Sequence, residues 1–120
     1  MYINEVKQKQ SNESFKGIYK LTSVNVKSIE NEKEKQAMSD CLINSVILGV
    51  NLSIDDGSKV GNDKQNPSSY FKIDDKNDKL FENRFKEILN DCNKKFNLDL
   101  ASKVYIQKVD EDEYEKAQYI

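Results

Sequence analysis

One run in the middle of the chain constrains the fold most: Val46-Ile47-Leu48-Gly49-Val50-Asn51-Leu52-Ser53-Ile54. Val46, Leu48, Val50, Leu52 and Ile54 recur at every second position. An extended chain with that period buries one face and leaves the other near water. The run is therefore predicted to be a strand starting near Ser45. A competing reading carries the preceding helix through Val46 toward Gly49.

The segments on either side follow the same logic. Phe15 to Val26 reads as extended, with Tyr19 and Leu21 on one face and Ile18, Val24 and Val26 on the other. Either both faces are covered or a bulge shifts the register midway. Ser28 to Ile43 is predicted helical: Asn31 and Glu34 have the spacing of an N-terminal cap, and acidic residues stand near the positive end of the helix dipole. Tyr70-Phe71-Lys72-Ile73 is a short strand. Phe81, Phe85, Ile88, Leu89, Cys92 and Phe96 then form one apolar helical stripe. Asp74, Asp75 and Asp78 precede it, Lys94 and Lys95 close it, and Asn97 is the expected left-handed stop. Lys103 to Val109 returns to strand.

The resulting order, β-α-β-β-α-β, is that of a small single α+β domain with a ferredoxin-like antiparallel sheet and two helices on one face. A small β-barrel-like α+β fold is the alternative, because the first strand alternates imperfectly. Residues 1–13 read as a polar lead-in, from which Tyr2, Ile3 and Val6 could dock as an extra strand. Residues 14–110 form the domain, and residues 111–120 an acidic, frayed C-terminal tail. Asp55 to Ser69, which holds Gly57, Gly61 and Pro67, is a connector of the length at which loops tend to carry function.

Charged residues make up 33% of the chain, yet 19 Lys and Arg nearly balance 21 Asp and Glu, for a net charge of −2. Such a balance exerts no general pull toward nucleic acid or an anionic membrane. No window approaches the ~18 apolar residues of a membrane span, and MYINEVKQKQ has no apolar signal core. A cytoplasmic protein without a membrane partner is expected. Cys41 and Cys92 fall on apolar stripes, where free cysteine acts as a small buried hydrophobe.

Much catalytic chemistry is missing. The chain has no histidine, which removes His-based acid–base work, His-containing triads and most transition-metal sites. It has no CxxC pair, P-loop or dinucleotide fingerprint. Asp74-Asp75-Lys76-Asn77-Asp78 places Lys76 where a calcium loop needs an oxygen ligand. No catalytic residue, metal or cofactor is expected. What remains is a small cytosolic binding or regulatory protein that recognises another macromolecule, in first place a protein.

The alternative is a single-stranded RNA or DNA binder. Tyr70 and Lys72 face away from Phe71 and Ile73, Tyr105 faces away from Val104 and Ile106, and Tyr19 joins them if Ile18 turns inward. Aromatic residues interleaved with lysine on an open sheet are how base-stacking sheets are built, although Tyr70-Phe71-Lys72-Ile73 is not the RNP1 pattern. Tyr19, Tyr70, Lys72 and Tyr105 thus form one candidate binding face. Asp55, Asp56, Lys59 and Lys64, in the long connector, form a second candidate surface.

Overall fold

The structure, a computed structural model, describes residues 17–54 and 59–119. Asn31 starts the first long helix, α1 (Glu32–Leu52), by accepting a hydrogen bond from the Glu34 backbone N–H at 2.9 Å. That helix does not stop near Ile43. It runs through the alternating stretch to Leu52, so the strand predicted over 46–54 is corrected: beyond the helix only Ser53 makes a bridge, to Ile73.

The stretch carries two periods at once. Ala37, Met38, Cys41, Ser45 and Gly49 are the buried residues of α1 and recur at helical spacing. Leu48 and Leu52 add to that side, and the alternation is a by-product of Val50 falling on the other. Small residues decide between the two. A Cβ on Gly49 would stand 2.7 Å from the Phe71 ring, so the helix backbone lies close on the sheet there. Tertiary packing of this kind overrides β-propensity.

Four strands, β1 (Ile18–Ser23), β2 (Lys59–Val60), β3 (Ser68–Lys72) and β4 (Val104–Lys108), form an antiparallel sheet in the order β4-β1-β3-β2. A two-residue β5 (Gln118–Tyr119) extends it beyond β2. Among the described residues the sheet is open, with β4 and β5 as its edges, rather than closed into a barrel. The second long helix, α2 (Asp78–Phe96), ends where Asn97 turns left-handed at φ 56°, as its sequence predicts.

Both faces of β1 are covered. Tyr19 and Leu21 join Met38, Cys41, Phe71, Phe81, Phe85 and Val104 in the core beneath α1 and α2. Ile18 belongs to a second, smaller core on the outer face. That core exists because residues 111–119 do not fray. Asp110 accepts a hydrogen bond from the Glu113 backbone N–H at 2.9 Å and starts a short helix, α3 (Glu111–Lys116). Its Tyr114 then packs with Ile18, Tyr70 and Val109.

The connector expected over 55–69 is partly structured. It contains β2, and the Gly61 backbone N–H donates to the Ser68 carbonyl at 3.1 Å to close the turn into β3. The lead-in over 1–13, and Asp55 and Asp56, lie outside the described residues. Among the described residues no helix is long and apolar enough to cross a membrane.

Candidate binding cleft on the outer sheet face

Strand register decides which side chains share the outer face. Lys20 stands opposite Tyr70 on β3 and Gln107 on β4, while Thr22 stands opposite Ser68 and Tyr105. Lys59 stands opposite Tyr70 on the other side. The face is therefore built in rows, Tyr105-Thr22-Ser68 and Gln107-Lys20-Tyr70-Lys59. Lys72, next to Ile18, begins a third row.

The four predicted face residues separate. Tyr70, Lys72 and Tyr105 share the outer face. Tyr19 does not, because it pairs with Phe71 and so points with it into the helix-side core. Its hydroxyl donates to Asp78 Oδ1 at 2.8 Å, and its ring lies 4.7 Å from that of Phe81. Burial, reinforced by Asp78, raises the Tyr19 hydroxyl far above its ordinary value, so it stays protonated. The reading of Tyr19 as an exposed stacking residue is corrected.

On the outer face, α3 covers one half. Tyr70 donates to Glu113 Oε2 at 2.8 Å, and Lys20 pairs with the same oxygen at 3.0 Å. Lys72 pairs with Glu111 at 3.1 Å. Hydrogen bonds from Tyr70 and then Lys20 hold the Glu113 carboxyl below its ordinary value, and Glu113 in turn raises the Lys20 ammonium. The Tyr70 hydroxyl is raised, first by burial and then by Glu113. Lys59, expected in an exposed loop, is 5% exposed; its ammonium donates to the Tyr114 carbonyl at 3.0 Å and lies 4.4 Å from the Tyr114 ring centre. Lys64 is exposed, and its carbonyl accepts from Asn25 Nδ2 at 3.1 Å.

The other half of the face stays open. A cleft of about 240 Å³ is lined by Lys20, Thr22, Tyr70, Tyr105 and Gln107 from the sheet and by Asn62, Asp63 and Asn66 from the turn between β2 and β3. Asp63 shapes that turn by accepting from the Gln65 and Asn66 backbone N–H groups at 2.9 and 3.1 Å, which hold its carboxyl below its ordinary value. Tyr105 is 43% exposed at the rim. Thr22 is 5% exposed, and its Oγ1 has no hydrogen-bond partner among the described residues. A buried hydroxyl without a partner is costly.

Several of these residues escaped the sequence reading. Lys20, Thr22, Gln107, Glu111 and Glu113 come together only through strand register and the folding-back of α3. One signal was present for α3: Asp110 precedes Glu113 by the spacing of an N-cap, with Tyr114 as the apolar anchor behind it. Among the described residues no group of Cys, Asp and Glu is arranged to hold a metal ion. Cys41 and Cys92 meet between α1 and α2, where burial pushes the Cys41 thiol up to about 12 and raises Cys92 as well. Neither is a thiolate at neutral pH.

No family model, curated protein or solved structure matches this chain.

Proposed function

We propose that the chain is a non-catalytic binding protein that recognises another protein through the outer-face cleft, and so regulates or neutralises it. The lining of the cleft carries this reading. An exposed tyrosine, Tyr105, stands beside four neutral hydrogen-bonding side chains, Thr22, Asn62, Asn66 and Gln107, and one charge of each sign, Lys20 and Asp63. Protein-binding surfaces favour this combination, in which a rigid aromatic supplies contact area and short polar groups supply adaptable hydrogen bonds. The β4-β1-β3-β2 strand order, with a long helix after β1 and after β3, supports reading the scaffold as the split βαβ arrangement.

Single-stranded nucleic acid is the second reading, favoured by Tyr105 and the lysines of the same face. It ranks lower because Lys20 and Lys72 are already paired with Glu113 and Glu111. A phosphate would have to displace a carboxylate at each and then lie beside it.

Affinity capture from the organism that encodes the chain, run with wild type and Tyr105→Ala in parallel, tests the reading. A protein retained by wild type and lost with Tyr105→Ala supports it, provided far-UV circular dichroism shows the same fold. Retention that ignores the substitution removes the cleft from consideration. A salt-sensitive gel shift with mixed-sequence RNA or single-stranded DNA, abolished by Tyr105→Ala, would replace it with the nucleic-acid reading.

A further inference from the structure

Two residues belong to both halves of the outer face. Lys20 and Tyr70 line the open cleft, and the same two side chains hold Glu113 of α3. The covered half is therefore continuous with the proposed binding surface. What α3 places there is specific. The Tyr114 ring is buried within reach of two ammonium groups, Lys59 at 4.4 Å and Lys72 at 5.4 Å from its centre. It meets the Tyr70 ring edge-on, with the two centres 6.5 Å apart. Glu111 reaches Lys72 at 3.1 Å, and Glu113 reaches Lys20 at 3.0 Å.

Little beyond these contacts holds α3. Six residues make less than two turns, too few for a helix that stands by itself. The strand after it, β5, adds only two residue pairs to β2. The ion pairs are partly exposed, the kind that exchange readily for others. Charge also sets the segment apart. Residues 110–116 hold five of the 21 acidic side chains and one of the 19 basic ones. The rest of the chain then carries 16 acidic against 18 basic residues, so the acidic excess lies wholly in the segment that covers the face.

We propose that α3 is an autoinhibitory strap, and that the partner protein displaces it with a segment of the same chemistry, a tyrosine set among carboxylates. This rests on the outer face being a protein-binding surface, and it names what that surface reads beside the cleft. The exchange is carboxylate for carboxylate at Lys20 and Lys72, and ring for ring against Lys59. Lys59 also takes a main-chain carbonyl, that of Tyr114, at 3.0 Å, which any peptide can offer. A run of phosphates fits less well, because Asp63 lines the adjoining cleft. While α3 is in place only the open fraction of the protein is competent, and the apparent affinity falls by that fraction. Weakening α3 therefore raises affinity for the segment that replaces it.

A fluorescein-labelled peptide of residues 110–119, titrated by anisotropy against the full chain, tests the strap. Wild type, with the site filled by its own α3, is expected to bind it roughly tenfold more weakly than Tyr114→Ala, which removes the anchor. Glu111→Gln/Glu113→Gln, which keeps Tyr114, should also bind more tightly than wild type, and it decides the matter if Tyr114→Ala does not unfold cooperatively. The same peptide carrying Glu111→Gln, Glu113→Gln and Tyr114→Ala should bind none of the three proteins. A gain in either folded variant supports the strap; no gain in either overturns it. Opened variants that take mixed-sequence single-stranded DNA or RNA more tightly than the peptide overturn it as well, in favour of nucleic acid. If the peptide result holds while affinity capture ignores Tyr105→Ala, the strap stands and the cleft falls; the opposite pair of results removes the strap alone.

Discussion

Phe71 packs against Gly49 so closely that a methyl group on Gly49 would come within 2.7 Å of three ring carbons. Two effects compete when Gly49 is replaced by Ala. Helix propensity favours alanine by about 1 kcal/mol. Overpacking costs about 1–3 kcal/mol, and Phe71 is 1% exposed in a core that leaves its ring nowhere to retreat. Gly49→Ala is expected to lower the urea midpoint, and Gly49→Val to lower it further. A stabilised alanine variant would mean that α1 stands farther from the sheet.

The α2 stripe gives a second stability test. Phe85 is 4% exposed, in the core shared with Phe71 and Phe81. Phe85→Ala is expected to cost about 3–5 kcal/mol through the cavity it leaves. Lys86, on the exposed side of the same helix, should change stability by less than about 0.5 kcal/mol when replaced by Ala. Equal urea midpoints for the two variants would contradict this packing.

Glu113 predicts a pH dependence. Its folded value is held below its ordinary one by Tyr70 and Lys20. Such a group stabilises the fold fully above the ordinary glutamate value, and the contribution is lost as pH falls through the depressed folded value. The carboxylate is 40% exposed, so its ion pair is worth only about 0.5–1 kcal/mol after solvent screening. Glu113→Gln should lose that amount at pH 7 and match wild type in strong acid. Urea unfolding at both pH values measures it; a gap that widens in acid would reverse the assignment.

The two thiols predict slow chemistry. Cys41 and Cys92 are buried and protonated at neutral pH. Both should label slowly in the native protein and fully in urea. Rapid native labelling of Cys41 would show that α1 and α2 separate readily.

Sequence periodicity read α2 correctly, from its aspartate-rich start to the left-handed Asn97, because one clean stripe faced one core. It also read the sides of β3 and β4, since Phe71 and Val104 each point inward beside an outward tyrosine. It failed on α1, where an outer apolar stripe overlaid the buried one and the sum looked like a strand. It placed Tyr19 wrongly because β1 is covered on both faces, and alternation carries no sign when Ile18 and Tyr19 are both buried. Acidic composition hid α3, although the charges it carries are those that Lys20, Lys72 and Tyr70 need. The cleft itself depends on cross-strand neighbours many residues apart, which no local pattern records.

The position of β1 between β3 and β4 also sets a timetable. β1, an inner strand of the sheet, is made early, and its second neighbour, β4, ends at Lys108. At 5–20 residues per second a ribosome takes about 4–17 s to travel from Ser23 to Lys108. Throughout that interval β1 lacks a partner on one edge, and Ile18 lacks Val109 and Tyr114, which have not been synthesised. The sheet therefore closes late in synthesis, and a chain stalled before β4 would offer the strand with the most apolar residues on both faces to whatever met it first.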